Sequence, residues 1–198
     1  GLCGGMVFAA RDLFEARLRP PVATEPPPGG SALFRYVVRR LFQSFDLPVG
    51  PVRYMTLMVL PAGDGRLGLR GLASRSVRRE WPRIKRDLDR GVLSPVGLVR
   101  VRSLNPLELG RNHQVLAYGY ELDEPRRRVA VRVYDPNHPN ADDLALSFGL
   151  NPGPDWEVGY IAGELPVRGF FRTRFRPADR TSLGVLRMIV ESDPPDAQ

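Results

Sequence analysis

With 198 residues, 42% of them hydrophobic, the chain is long enough for one domain with a buried core. No run approaches the roughly 18–20 apolar residues of a membrane span, and no secretory signal is visible, so a soluble protein, cytoplasmic or secreted, is expected. The net charge of +7 is carried almost wholly by scattered arginines, Lys85 being the only lysine. Neither an aromatic single-strand platform nor zinc-finger spacing accompanies them, so they read as a solvated exterior and nucleic acid is not an expected partner. The single cysteine, Cys3, excludes an internal disulfide, and the fold therefore does not depend on an oxidising compartment.

Met6, Ala10, Leu13 and Phe14 share one face of a predicted helix over residues 3–18, ended by Pro20 and Pro21. A proline-rich surface loop follows. Ser31 reads as the N-cap of a second amphipathic helix carrying Phe34, Val37, Val38, Leu41 and Phe42. "VRYMTLMVLP" (52–61) predicts a strand, and Trp81, Ile84 and Leu88 predict a third helix over 79–90, with Gly91 as its C-cap. Strands are then expected over 95–103, 113–122 and 128–135, the last alternating Val129, Val131 and Val133 with polar positions. "DEPRRR" between the last two predicts a hairpin. A further strand is expected over 166–177 and a disordered tail over 191–198. Helices first and antiparallel strands after them predict an α+β fold with helices packed on one side of a sheet.

Three residues in this order carry chemistry. Cys3 stands at a predicted helix start, where the helix dipole favours a thiolate. His113 opens a strand. Asp135 closes its hairpin partner, which brings the carboxylate near the imidazole. Gly4 and Gly5 are costly in a first turn, about 1 kcal/mol each against alanine, and would let a substrate backbone approach the sulfur. Asn112, beside His113, borders the expected cleft. Gln114 is expected to point to the opposite side of the strand. The oxygen-rich loop His138, Asn137, Asn140, Asp142 and Asp143 has no EF-hand spacing, glycine or distal glutamate, so no metal and no cofactor is expected. Trp81 and Trp156 read as packing residues.

The order Cys–His–Asp resembles that of papain-like cysteine peptidases, and the local words do too. "CGGM" heading a helix resembles their nucleophile segment, "NHQVLAYGYE" their histidine strand, and "VRVYDPNHP" the strand end that follows in compact bacterial branches. "IKRDLDRGVLSPVGLV" resembles the segment before the histidine strand. The nearest likeness is to the peptidases that process bacteriocin leaders and their free-standing peptidase-like cousins. It covers roughly residues 1–145 of a single domain spanning 1–198 and leaves 146–190 as a C-terminal β extension. The resemblance implies a papain-like fold, Cys3 as nucleophile, His113 as general base and acid, Asp135 as the orienting group, and a peptide or protein substrate. The same triad also serves acyl transfer to an amine or thiol. Such enzymes usually carry a glutamine a few residues before the cysteine as an oxyanion donor. Only Gly1 and Leu2 stand there, which implies a chain truncated at its N-terminus, a donor from elsewhere, or a catalytically impaired binding module.

Overall fold

In the computed structural model, residues 2–21, 25–46, 48–65, 70–160 and 166–192 are described. Three helices come first: α1 (Cys3–Glu15), α2 (Ala32–Ser44) and α3 (Val49–Met58). Ser31 caps α2, its hydroxyl accepting the Phe34 N–H at 3.1 Å. A short α4 (Leu72–Ser74) runs into a π-helix (Arg75–Glu80) and then α5 (Trp81–Asp89). Strand β1 (Ser94–Val99), a 3-10 turn (Pro106–Arg111), β2 (His113–Asp123), β3 (Arg128–Tyr134), β4 (Ala145–Gly149), β5 (Val158–Gly159) and β6 (Gly169–Arg172) follow, and α6 (Arg180–Glu191) comes last.

The six strands form one antiparallel sheet in the order β5-β4-β3-β2-β1-β6. One face carries Val96, Leu98, Val115, Ala117, Val131 and Val133 against Val77, Trp81 and Ile84 of the helical run before β1. That is the main core, and both tryptophans pack in it. The other face meets α1, where Val7 and Phe8 pack on Leu116. Helices α1, α2 and α6 share a further cluster around Leu13, Val37 and Leu186. A buried ion pair joins α1 to α2: Arg40 lies 2.7 Å from Asp12, and Tyr36 donates to the same carboxylate at 2.8 Å. Mixed helix and antiparallel sheet is thus the architecture.

Two expectations are corrected. Residues 49–58 are helical although "VRYMTLMVLP" reads as a strand. Tyr54, Leu57 and Met58 are buried at helical spacing against Val99, Val101 and Phe171, so packing overrides the β-propensity of the segment. The region 146–190 is not wholly β, because α6 fills its end. Asp179 caps that helix by accepting the Ser182 N–H at 2.7 Å. Of the expected disordered tail, Glu191 belongs to α6 and Ser192 is its C-cap, while 193–198 lie outside the described residues.

Candidate active site

Helix α1 runs along β2 with Gly4 beside Gln114 and Phe8 over Leu116, which sets the helix N-terminus at the entry of the strand. Cys3 is the first residue of that helix and lines one cleft with His113, whose imidazole is near enough to lower its thiol. Nε2 of the same imidazole lies 2.7 Å from Asp135 Oδ1. The three residues expected from the sequence are therefore brought together.

The hairpin delivers Asp135 through a β-bulge. From Asp123–Arg128 to Gly119–Arg132 the register is regular, and between Gly119 and Ala117 it slips by one residue at Tyr118. Continued one step past the Leu116–Tyr134 pair, it sets Asp135 across from Val115. His113 is two positions from Val115 and on the same face, a diagonal neighbour of Asp135. Without the bulge, Asp135 would stand opposite Leu116 and face the other side of the sheet.

Asp135 is 1% exposed and fully engaged. Besides His113, it accepts the Asn137 backbone N–H at 2.8 Å and the Tyr160 hydroxyl. Burial would raise its carboxyl, but the hydrogen bonds from His113 and Tyr160 and the imidazole charge outweigh this and hold it below the usual value. Burial likewise favours a neutral His113, yet Asp135 and Cys3 push the imidazole up to about 9. Burial would also raise the Cys3 thiol. The His113 hydrogen bond and charge, with backbone N–H groups of Gln114 and Gly4, more than offset it and leave the thiol below its ordinary value. Both shifts favour the thiolate–imidazolium pair over the neutral pair.

The pair sits in a cleft of about 370 Å3 whose walls include Leu41, Phe42, Phe45, Pro51 and Leu109. Tyr54 stands in it and donates its hydroxyl to the His113 carbonyl at 3.2 Å. Among the described residues lining this cleft, His113 is the only one able to carry a positive charge.

Four expectations about the cleft are revised. Gly5 does not face substrate: a Cβ there would overlap the Val37 carbonyl oxygen, so this glycine permits the close approach of α1 and α2. Gly4 borders the cleft, but its missing side chain makes room for Ser44 and Gln114. Asn112 also borders it, with its amide spent on structure: Oδ1 accepts the Arg100 N–H at 3.0 Å, and Nδ2 donates to the Leu109 carbonyl at 3.3 Å. Gln114, expected to point away, is 4% exposed and lines the cleft with Cys3. The α1-facing side of β2 at its first residues is the side the helix N-terminus occupies, so alternation along the strand does not carry Gln114 out of the site.

Tyr54, Gln114 and Tyr160 escape the sequence reading. Tyr54 falls in the segment misread as a strand, and nothing in "WEVGY" signals that its tyrosine reaches Asp135. Among the described residues no group of three or more His, Cys, Asp or Glu side chains is placed to hold a metal ion, and no helix is long and apolar enough to cross a membrane.

No family model, no curated protein and no solved structure matches the chain. The likeness to papain-like peptidases rests on local sequence words, and what the site can do rests on its geometry.

Proposed function

We propose that the protein is a papain-like cysteine peptidase, acting on a peptide or protein amide bond through Cys3, His113 and Asp135. The observation that carries this reading is the convergence of Cys3 and His113 on one apolar cleft, with the imidazole 2.7 Å from the buried Asp135 carboxylate. A buried acid and a helix N-terminus around one cysteine are costly to assemble and have no evident packing use.

In this mechanism the thiolate attacks the amide carbonyl. The first-turn N–H groups of α1 lack intrahelical acceptors, and Leu2 offers no side-chain cap, so the Cys3 N–H is available to the developing oxyanion. The C–N bond breaks as the His113 imidazolium gives its proton to the leaving amine. The neutral imidazole then takes a proton from water, whose oxygen attacks the thioester, and the acid product leaves with the thiolate restored. Asp135 holds the ring in place and stabilises its charged form, and Tyr160 and the Asn137 N–H hold Asp135. An amine in place of water would make the same thioester a transfer intermediate.

The test is the pH dependence of Cys3 alkylation by iodoacetamide in the wild type and in His113→Ala. The wild-type thiol should titrate below the roughly 8.5 of a free cysteine, and the variant should return to that value or above it, because burial then acts without the imidazole to oppose it. A thiol that titrates normally, or is inert, in both proteins would overturn the reading and leave a binding module. With a thioester-forming peptide, added amine separates hydrolysis from transfer by the product released.

A further inference from the structure

Helix α3 separates the Cys3 cleft from a second cavity. This one, of about 410 Å3, lies between α3, the π-helix and β6, and its size is in the range of small-molecule sites. Its two sides differ in chemistry. Val49, Val52, Leu57 and Phe171 give an apolar side, and Val49 and Val52 are left 60% and 63% exposed at its rim. The π-helix adds Arg75 and Arg79, and α3 adds Arg53, against a single carboxylate, the buried Glu80.

That carboxylate is already committed. Arg53 pairs with Glu80 Oε1 at 2.7 Å while lying over the Phe171 ring, and the Arg172 N–H donates to Oε2 at 3.2 Å. Arg79 stands 3.7 Å from Glu80, beyond hydrogen-bond distance, and Arg75 has no ion pair among the described residues. Both are exposed, and they stand one turn apart on the π-helix, a helix form found mostly as single turns and often at functional sites. The cavity thus presents two under-neutralised guanidiniums facing an apolar wall. A hydrated polyanion would leave the apolar wall bare, and a neutral apolar molecule would leave the arginines without a partner.

We propose that this cavity binds a small amphiphilic anion, a carboxylate carrying a short apolar tail. The tail lies against Val52, Leu57 and Phe171, and the carboxylate is held between Arg75 and Arg79. Free carboxylic acids offer this chemistry, and so does the C-terminus of a peptide ending in an apolar residue. The site is independent of any reaction at Cys3.

Titration calorimetry on the full chain, using octanoate below its micellar range, tests this. Octanoate should bind saturably, and acetate and octanol should each bind at least about tenfold more weakly, because each lacks one half of the recognition. The double variant Arg75→Glu/Arg79→Glu should lose at least about tenfold in octanoate affinity. Both side chains are exposed, and an unchanged thermal melt would show the variant folded. Val52→Asp, on the facing wall, should weaken binding as well. Acetyl-Val-Leu as acid and as amide separates the sources: a peptide acid tighter than octanoate assigns a peptide C-terminus, and the reverse assigns a free acid. No saturable octanoate binding, octanol equal to octanoate, or a folded double variant with unchanged affinity would overturn the proposal.

Discussion

His113 gives one ring nitrogen to Asp135 and shares the cleft with Cys3, and its charge state sets the working pH range of the proposed reaction. The signs are opposite for the two reacting groups. The thiol lies below its ordinary value, which moves the acid limb down, while the imidazolium persists until about pH 9. Activity should therefore be bell-shaped in pH, with the alkaline limb near 9, where the leaving amine loses its acid. Asp135→Asn removes the strongest influence raising His113 and leaves burial, which lowers it, opposed by Cys3 alone. The alkaline limb should then fall below about 9 toward the ordinary imidazole value, which narrows the window. A pH–rate profile should show a loss of about a hundredfold or more on the neutral plateau. An unmoved limb would mean that Asp135 does not control the ring. At this scale the sequence carries Cys3, His113 and Asp135, because a helix start, a strand start and a hairpin end are local features. Tyr54 and Tyr160 are not legible, since their partners depend on packing between distant segments.

Two elements fix the site, and both work through close fit. The β-bulge at Tyr118 selects the face on which Asp135 emerges, which a count of hairpin positions does not show. The α1–α2 pair depends on Gly4 and Gly5, whose lack of side chains reads from sequence as access for substrate and proves to be access for a neighbouring helix. Their substitutions should differ. Helix propensity alone would favour alanine at either position by about 1 kcal/mol. At Gly5 the added methyl meets the rigid Val37 backbone carbonyl, and Gly5→Ala should cost about 1–3 kcal/mol net. At Gly4 it meets the Ser44 hydroxyl and the end of the Gln114 side chain, which can rotate aside, so Gly4→Ala should cost less. Urea unfolding of the two variants checks the order, and equal costs would show that α1 and α2 can slide apart. Helix α3 and helix α6 are the longest elements the sequence reading misses. The first has strand-like composition, and the second lies where the papain-like resemblance ends, although Asp179 and the Leu183, Leu186, Val190 spacing were available as helix signals.

Across the whole molecule, residues 146–192 close both edges of the sheet. β4 and β5 extend it beyond β3, and β6 returns to the opposite edge to pair with β1, whose every residue is buried. A fragment of residues 1–145 should therefore lack a cooperative thermal transition, because β1 loses its edge partner, the main core loses Phe148 and Phe170, and Asp135 loses Tyr160. A sharp calorimetric transition for that fragment would show instead that the later segment is an accessory. Arg40 acts at the same scale, joining Asp12 of α1 to the Arg176 carbonyl ahead of α6. Its replacement by alanine should cost about 3–5 kcal/mol in urea unfolding, since it strands a buried carboxylate. The dispersal of the site along the chain also bears on the order of synthesis. Cys3 leaves the ribosome long before His113, Asp135 and Tyr160, and until the β2–β3 hairpin docks on α1 its thiol has no imidazole beside it. The nascent chain carries an unactivated cysteine, and the proposed nucleophile is switched on by the completion of the fold.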